Sequence, residues 1–157
     1  MSIQSPPNVT RDGSSAFLKA TTDVRHREWR LPSVLASVPG MRRGLRGLLD
    51  DSALSNDEIE DLLLAASEAA NNAVEHALQP TKPFFDVCTE VDDGQVTIVV
   101  HDYGGWRQQT FPSDRGRGLA MMRALADTTV ITSSHGTTVT IRSRRAGPGA
   151  MADPGGA

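Results

Sequence analysis

Residues 55 to 77, SNDEIEDLLLAASEAANNAVEHA, decide the fold of this chain. Ser55 followed three residues later by Glu58 is a capping box, which predicts that a helix begins here and continues until shortly before Pro80. Apolar residues then recur at helical spacing: Ile59, Leu62, Leu63, Ala66, Ala69, Ala70, Ala73 and Ala77. Such a helix has one apolar face that must pack on a sheet or on other helices.

Polar residues occupy the second half of the same helix: Glu68, Asn71, Asn72, Glu75 and His76. At about 100° per residue, Glu68 and Asn72 lie one turn apart on one face, and Glu75 and His76 extend that face. A solvated face is the simpler interpretation, because a helix of a two-layer protein must be polar somewhere. The alternative is that a carboxylate and an amide are held toward a cleft for chemistry.

The remaining segments predict a sheet that is covered on one side. Alternating apolar residues and turn signals predict five strands, at residues 23–31, 84–91, 95–101, 128–133 and 137–143. Helical spacing predicts two more helices, at residues 38–49 and 119–126. Hairpins mixed with helices argue against a parallel doubly wound sheet. We therefore predict an α/β two-layer sandwich with a mixed, mainly antiparallel sheet and helices on one face.

Composition narrows the possible functions. The chain has 157 residues and a net charge of −3, without a basic stripe, so we expect one domain that does not bind nucleic acid. We find neither a signal peptide nor a membrane-spanning run, so we expect a cytoplasmic protein without membrane contact. Residues 1–20 and the Gly- and Pro-rich residues 146–157 are predicted to be disordered, leaving a domain at 21–145.

Two features have simple interpretations. Cys88 is the only cysteine, so there is no disulfide framework and no Cys/His metal spacing, and we expect a small, buried strand residue. Arg42, Arg43 and Arg46 lie opposite the apolar positions of the helix at 38–49. A solvated face is the simpler interpretation of these arginines, and a partner-binding face is the alternative.

Three further motifs contain groups that suit ligand binding. In HDYGG, residues 101–105, Asp102 ends a strand and the glycines let a backbone or a flat ligand approach closely. In RGRGL, residues 115–119, a glycine-rich segment opens a helix and offers N–H groups to an anion. No GK[ST] follows, so this is not a P-loop. HGTT, residues 135–138, is by itself consistent with a hairpin turn.

In this order, SEAANNAVEHA, HDYGG, RGRGLAMMRALAD and HGTT resemble the N, G1, G2 and G3 boxes of the GHKL ATPase superfamily. More narrowly, they are similar to its small single-domain branch, the bacterial anti-sigma-factor serine/threonine kinases. The resemblance covers roughly residues 23–142. It implies the same mixed sheet with helices on one face, and it implies ATP and Mg²⁺ as cofactors.

The resemblance also implies roles for individual residues. Glu68 matches the general base that acts on a hydroxyl acceptor, and Asn72 matches the Mg²⁺ ligand. Asp102 matches the acceptor for the adenine amino group, Gly104 lets the base pack closely, and Thr137 lies near the adenine.

The G2 box corresponds to the lid over the phosphates. Gly116 and Gly118 match its glycines, and three neighbours belong to the same box: Arg115 and Arg117 as candidate phosphate partners, and Leu119. Trp106 is a departure from the family, because the fuller G1 pattern D-x-G-x-G has glycine there. The indole either stacks on the nucleotide or narrows its pocket.

The function implied by the resemblance is that of a Mg-ATP-dependent serine/threonine kinase and anti-sigma factor. Such a protein binds a sigma factor, phosphorylates a STAS-type anti-anti-sigma antagonist and forms a homodimer. The alternative is an ATP-binding module that sequesters its partner without kinase activity. A detached catalytic domain of a sensor histidine kinase is a third possibility, but it needs a phosphoacceptor helix, whereas His26 lies in a predicted strand.

Overall fold

The computed structural model describes residues 25–77, 79–92, 94–104 and 115–144. In chain order these form β1 (Arg25–Pro32), α1 (Ser37–Leu49), α2 (Asn56–His76), β2 (Phe84–Asp92), β3 (Gln95–His101), α3 (Arg115–Leu125), β4 (Asp127–Ser133) and β5 (Gly136–Arg142). Each predicted strand and helix is confirmed, with small differences at most ends and a larger one at the start of α3. Both predicted tails lie outside the described residues, so the domain boundaries stay a prediction.

The five strands form one sheet in the order β1-β2-β3-β5-β4. Every neighbouring pair in it is antiparallel. The two-layer sandwich is thus confirmed, whereas the sheet expected to be mixed is antiparallel throughout the described strands. The reason is the position of β5. Strands β3 and β4 run in the same direction, but β5 lies between them and pairs with both.

All three helices pack on one face of the sheet. The strand residues that point toward them are buried, among them Phe85, Val87, Val91, Val96, Ile98, Val100, Val139 and Ile141. The intervening residues form the opposite face, here called the open face: His26, Glu28, Arg30, Phe84, Asp86, Cys88, Glu90, Thr97, Val99, His101, Thr138 and Thr140. Among the described residues, the sheet therefore has one side covered by helices and one side without them.

Helix α2 is the central element of the covered side. It begins with the predicted capping box, in which Ser55 Oγ accepts from the Glu58 N–H at 3.3 Å and Glu58 Oε2 accepts from the Ser55 N–H at 2.7 Å. The helix contacts α1, α3, β2, β3 and β5. Small buried residues line its packed side: Ala65, Ala66, Ala69, Ala70 and Ala73. Because alanine has no side chain beyond Cβ, α2 can lie close to the sheet. Within the described part of the chain, no helix combines the length and the apolar character needed to cross a membrane.

Two of the α1 arginines join α1 to α2. Arg42 Nη2 lies 2.8 Å from Glu60 Oε2, and Arg46 also binds the Glu60 carboxylate. The hydrogen bond from Arg46 lowers the pKa of Glu60. Arg42 also reaches Ser67 Oγ at 3.4 Å. The side chains of Arg42 and Arg46 are committed to a contact inside the fold, whereas Arg43 is exposed. Neither a solvated face nor a partner-binding face therefore describes Arg42 and Arg46 fully.

The alanine-rich packing of α2 predicts a sharp difference between two adjacent leucines. Leu63 is 0% exposed and Leu64 is 44% exposed. We expect Leu63→Ala to lower the free energy of unfolding by about 2–5 kcal/mol, because it removes buried methyl groups and leaves a cavity. Leu64→Ala is the matched control and should change stability by about 0.5 kcal/mol or less. Urea unfolding of both variants checks this, and equal losses would contradict the assigned orientation of α2.

Candidate functional site

Asp102 follows β3 directly, and its carboxylate joins the HDYGG and HGTT motifs. Its Oδ1 accepts from the Gly104 N–H at 3.0 Å and from the Thr137 N–H at 3.2 Å. The Asp102 N–H donates to the Thr137 carbonyl at 3.0 Å. Both carboxylate contacts use Oδ1, so Oδ2 is the oxygen that these two bonds leave for a ligand. Thr137 and Gly104, predicted from different motifs, thus meet at one side chain.

The carboxyl group of Asp102 is partly shielded from solvent. Burial raises the pKa of its carboxyl group, and the N–H groups of Gly104 and Thr137 oppose that shift. Desolvation disfavours the charged form of a carboxyl group, while hydrogen bonds to the carboxylate favour it. A carboxylate held in this way is a fixed acceptor for an amino or N–H group of a ligand.

Glycines at two positions allow the close approach of backbone segments around Asp102. A Cβ on the buried Gly104 would lie 2.6 Å from Cα of Ala77, at the end of α2. Gly136 has φ +141, and a Cβ there would lie 1.8 Å from the Asp102 carbonyl oxygen. A side chain is excluded at both positions. The HDYGG segment is therefore held between the end of α2 and the hairpin of β4 and β5.

Glu68 and Asn72 are half-buried on α2, and α3 approaches the first of them closely. A Cβ on Gly118 would lie 2.1 Å from Glu68 Oε1 and 3.0 Å from Glu68 Cδ. Only a glycine lets the backbone of α3 lie so near the carboxylate in its present position. The structure thus brings the SEAANNAVEHA and RGRGL motifs together. No hydrogen bond connects Asn72 to the other predicted site residues among those described.

The start of α3 differs from the prediction. We expected the helix to begin at Leu119, but it begins at Arg115, so Gly116 and Gly118 lie in its first turn. Glycine is a poor helix former, costing about 1 kcal/mol relative to alanine, and the sequence therefore suggested a loop. Gly118 nevertheless lies in the helix, where it packs beside the Glu68 side chain of α2. The first four N–H groups of a helix have no acceptor within the helix, so residues 115–118 still offer N–H donors to an anion.

The remaining predicted site residues differ in how far they are buried. Leu119 is half-buried against the core, and Arg117 is exposed. Trp106 lies outside the described residues, so its proposed effect on the pocket stays a prediction.

Sequence reasoning missed the residues that hold Tyr103, next to Asp102. The Tyr103 carbonyl accepts from the Thr81 N–H at 3.0 Å, and its hydroxyl donates to Asp86 Oδ2. Arg30 binds both oxygens of Asp86, at 2.8 and 2.9 Å, which holds the pKa of that carboxyl group below its usual range. The signal in the sequence was the single tyrosine between Asp102 and Gly104. Its partners come from distant strands and loops and leave no local pattern.

The fold and the four joined motifs define the class of an ATPase domain, and comparison with known proteins supports this. A family model described as histidine kinase-like ATPase domain matches residues 31–143. This chain belongs to that family.

Within this family, the chain is similar to individual serine-protein kinases. The serine-protein kinase RsbW of Staphylococcus epidermidis is 28% identical over 132 residues, covering 73% of this chain and 83% of the relative. RsbW of Bacillus velezensis is 30% identical over 136 residues, covering 76% and 85%. The likeness to serine kinases expected from the four motifs is thereby confirmed.

A solved structure agrees with these relatives. The crystal structure of the RsbU and RsbW domains of Rv1364c from Mycobacterium tuberculosis matches with a TM-score of 0.64 and 28% identity. The match covers 76% of this chain and 32% of that chain, so this protein spans about a third of the solved one.

The partly dry site of Asp102 predicts an unusual dependence of stability on pH. The folded-state pKa of Asp102 is raised, so its ionised form lowers stability above that pKa, and this cost disappears as the pH falls toward the value of an unfolded aspartate, about 3.9. Asp102→Asn keeps an acceptor oxygen for both N–H groups. We expect the variant to be at least as stable as the wild type at neutral pH, and the difference to shrink on acidification.

Asp86→Asn is the matched control for this measurement, because the pKa of Asp86 is lowered. Asp86 therefore stabilises the fold above its unfolded pKa and loses this contribution as the pH falls. We expect Asp86→Asn to be less stable than the wild type at neutral pH, with a gap that also closes in acid. Thermal unfolding of the three proteins from neutral pH to about pH 2 measures both gaps, because the contribution of Asp86 is lost only below the unfolded value of about 3.9. Gaps of the same sign would contradict the environment described for Asp102.

Proposed function

We propose that this protein is a Mg-ATP-dependent serine/threonine kinase that acts as an anti-sigma factor. Its substrate would be a serine of a STAS-type anti-anti-sigma antagonist. The observation that carries the proposal is the contact between Gly118 and Glu68, because it brings the first turn of α3 next to the carboxylate proposed as the general base. Phosphate groups bind well at the first turn of a helix.

The described residues fit the adenine end of a nucleotide. Asp102 is a half-buried carboxylate with both described bonds on Oδ1, so Oδ2 would accept from the adenine amino group. The absence of a side chain at Gly104 supports close packing of a flat base. Thr137 would lie beside the base, because its N–H is bonded to the same carboxylate.

The phosphate end uses different groups. Mg²⁺ is usually held by one or two protein oxygen ligands together with phosphate oxygens. The side-chain oxygen of Asn72, one turn beyond Glu68, would be such a ligand. When bound, Mg²⁺ supplies the neutralisation of phosphate charge on which this chemistry depends. The N–H groups of residues 115–118 would hold the phosphates from the opposite side, with the Arg115 and Arg117 side chains as further candidates.

The protein would contribute to phosphoryl transfer mainly by positioning the reactants. The serine oxygen of the antagonist would form a bond to the γ-phosphorus, and the bond from that phosphorus to the β–γ bridging oxygen would break. Glu68 would accept the proton of the serine hydroxyl. The products are a phosphoserine and ADP, so atoms and charges balance without any further reactant.

The proposed partners follow from the likeness to the serine-kinase branch. They are a sigma factor, the STAS-domain antagonist that competes for it, and a second copy of this chain in a homodimer. The similarity to the serine-protein kinases named RsbW supports the kinase activity most directly.

The adenine contact can be tested by binding alone. We expect Asp102→Asn to weaken ATP binding by about 1.5–3 kcal/mol, the usual contribution of a hydrogen bond to a charged group. Asp127→Asn, on the exposed start of β4, is the control and should bind ATP as the wild type does. Isothermal titration with a non-hydrolysable ATP analogue gives both affinities. Unchanged affinity in Asp102→Asn would show that the adenine amino group has another acceptor.

Glu68→Gln separates a kinase from a sequestering module. The glutamine keeps the size of the side chain but does not accept a proton, so nucleotide binding should persist while phosphoryl transfer falls by a factor of about 10² to 10⁴. Glu75→Gln, on an exposed carboxylate two turns further along α2, is the control and should transfer normally. The assay follows labelled γ-phosphate moving to candidate STAS-domain proteins, at equal occupancy by ATP.

Two outcomes of this assay would contradict the proposal. Equal transfer by the wild type and Glu68→Gln would reject Glu68 as the base. No transfer by any form, with tight partner binding retained, would reject the kinase and favour the ATP-binding module that sequesters its partner.

A further inference from the structure

A cluster of three metal-ligating side chains lies on the open face, away from the site described above. Glu28 of β1 is directly opposite Cys88 of β2 in the antiparallel register. His26 precedes Glu28 by two residues, so its side chain is on the same face. The sheet separates this cluster from α2, on which Glu68 and Asn72 lie. The chemistry proposed for the nucleotide therefore makes no use of these three groups.

The ligand atoms of the cluster are already close together. His26 Nε2 lies 3.0 Å from Glu28 Oε1 and 3.9 Å from Cys88 Sγ. One atom from each of the three side chains lies within 4.8 Å of the others. Zinc bonds of about 2.0–2.3 Å in tetrahedral geometry require ligand atoms about 3.3–3.6 Å apart. The observed separations lie on both sides of this range, so small side-chain rotations would complete the geometry.

We propose that the juxtaposition of His26, Glu28 and Cys88 on the open face is a binding site for Zn²⁺. The donors are an imidazole nitrogen, a carboxylate oxygen and a thiolate sulfur, a set that suits zinc and does not suit Mg²⁺ or Ca²⁺. Three protein ligands leave the fourth position of a tetrahedral ion for water or for an exchangeable group. The cluster borders a groove along β1 and β2 that is also lined by Trp29 and Asp86, which leaves room for this fourth ligand.

The charges around the cluster agree with a divalent cation. The Glu28 carboxylate supplies one negative charge, and Cys88 supplies a second when its thiol releases a proton to solvent on binding the ion, with His26 neutral. Glu90 is opposite His26 in the register and adds a further carboxylate nearby. The next basic side chain along this face of β1, Arg30, is bound to both oxygens of Asp86, which offsets its charge.

The site would also connect two strands. Glu28 and His26 belong to β1, which is at the edge of the sheet, and Cys88 belongs to β2. A bound ion would therefore cross-link the edge strand to its neighbour across 62 residues of sequence, counted from His26 to Cys88. Because the unfolded chain does not hold these groups together, binding of the ion should stabilise the folded state.

Titration of the metal-free, full-length chain with Zn²⁺ alone, and separately with Co²⁺ as a spectroscopic probe, tests the proposal. We expect one equivalent to bind, a rise in the thermal unfolding midpoint, and a thiolate-to-cobalt charge-transfer band. Cys88→Ser should abolish this band. His26→Gln and Glu28→Gln should each weaken zinc binding by about 100-fold or more, because even indirect partners of metal ligands contribute about 10–100-fold.

His135→Gln is the matched control, since it removes an exposed imidazole at the turn before β5, far from the cluster in the sheet order. It should bind zinc as the wild type does. His26 and Glu28 are exposed and Cys88 is half-buried, so the three variants are expected to fold, and their circular dichroism checks this. The proposal is overturned if the wild type binds no zinc, if the cobalt complex lacks the charge-transfer band, or if the zinc affinity of Cys88→Ser and His26→Gln equals that of the wild type.

Discussion

The close packing of α2 on the sheet is the constraint on which the rest of this structure depends. Its buried side is made of alanines, which bring the helix backbone near the strands. Two further segments then lie against the same helix: Gly104 against the backbone of Ala77, and Gly118 against the side chain of Glu68. A bulkier residue at Gly104 would meet the backbone of Ala77 and displace the HDYGG segment, whereas one at Gly118 would force the Glu68 side chain to move. The helix that forms the core thus also sets the dimensions of the candidate site.

The close packing of these segments also explains the environment of Asp102. Its carboxylate is held by two backbone N–H groups, and its neighbour Tyr103 is held by Thr81 and Asp86. Burial of this carboxyl group opposes its ionisation, so the fold gains little from the charge itself. A partly desolvated acceptor that is fixed before a ligand arrives loses less entropy on binding than a mobile one. The cost to stability and the proposed use in nucleotide binding therefore have one physical origin.

Local signals in the sequence were sufficient for most of the fold. The capping box at Ser55 and Glu58, the helical spacing of apolar residues in α2 and the alternating apolar residues of β2 and β3 each act over a few residues, and each was confirmed. The prediction of where α3 begins was wrong. The low helix propensity of glycine is a local property, whereas the contact of Gly118 with Glu68 is made between distant parts of the chain. Cys88 was expected to be a small, buried strand residue, but it is half-buried on the open face beside His26. Strand pairing, which no local pattern encodes, brings these two residues together.

The two faces of the sheet offer different coordination chemistry. On the helix side, the candidate ligands are hard oxygens of Asn72 and of a nucleotide, which suit Mg²⁺. On the open face, the sulfur of Cys88 and the nitrogen of His26 are softer donors, which favour zinc. Because the sheet separates the two donor sets, neither ion would have to compete for the ligands of the other. Binding at the open face would act instead through the strands, since β2 carries Cys88 and, two residues earlier, Asp86, whose carboxylate accepts from Tyr103 beside Asp102. Any coupling between the two faces would therefore pass through β1 and β2, since Arg30 of β1 also binds the Asp86 carboxylate.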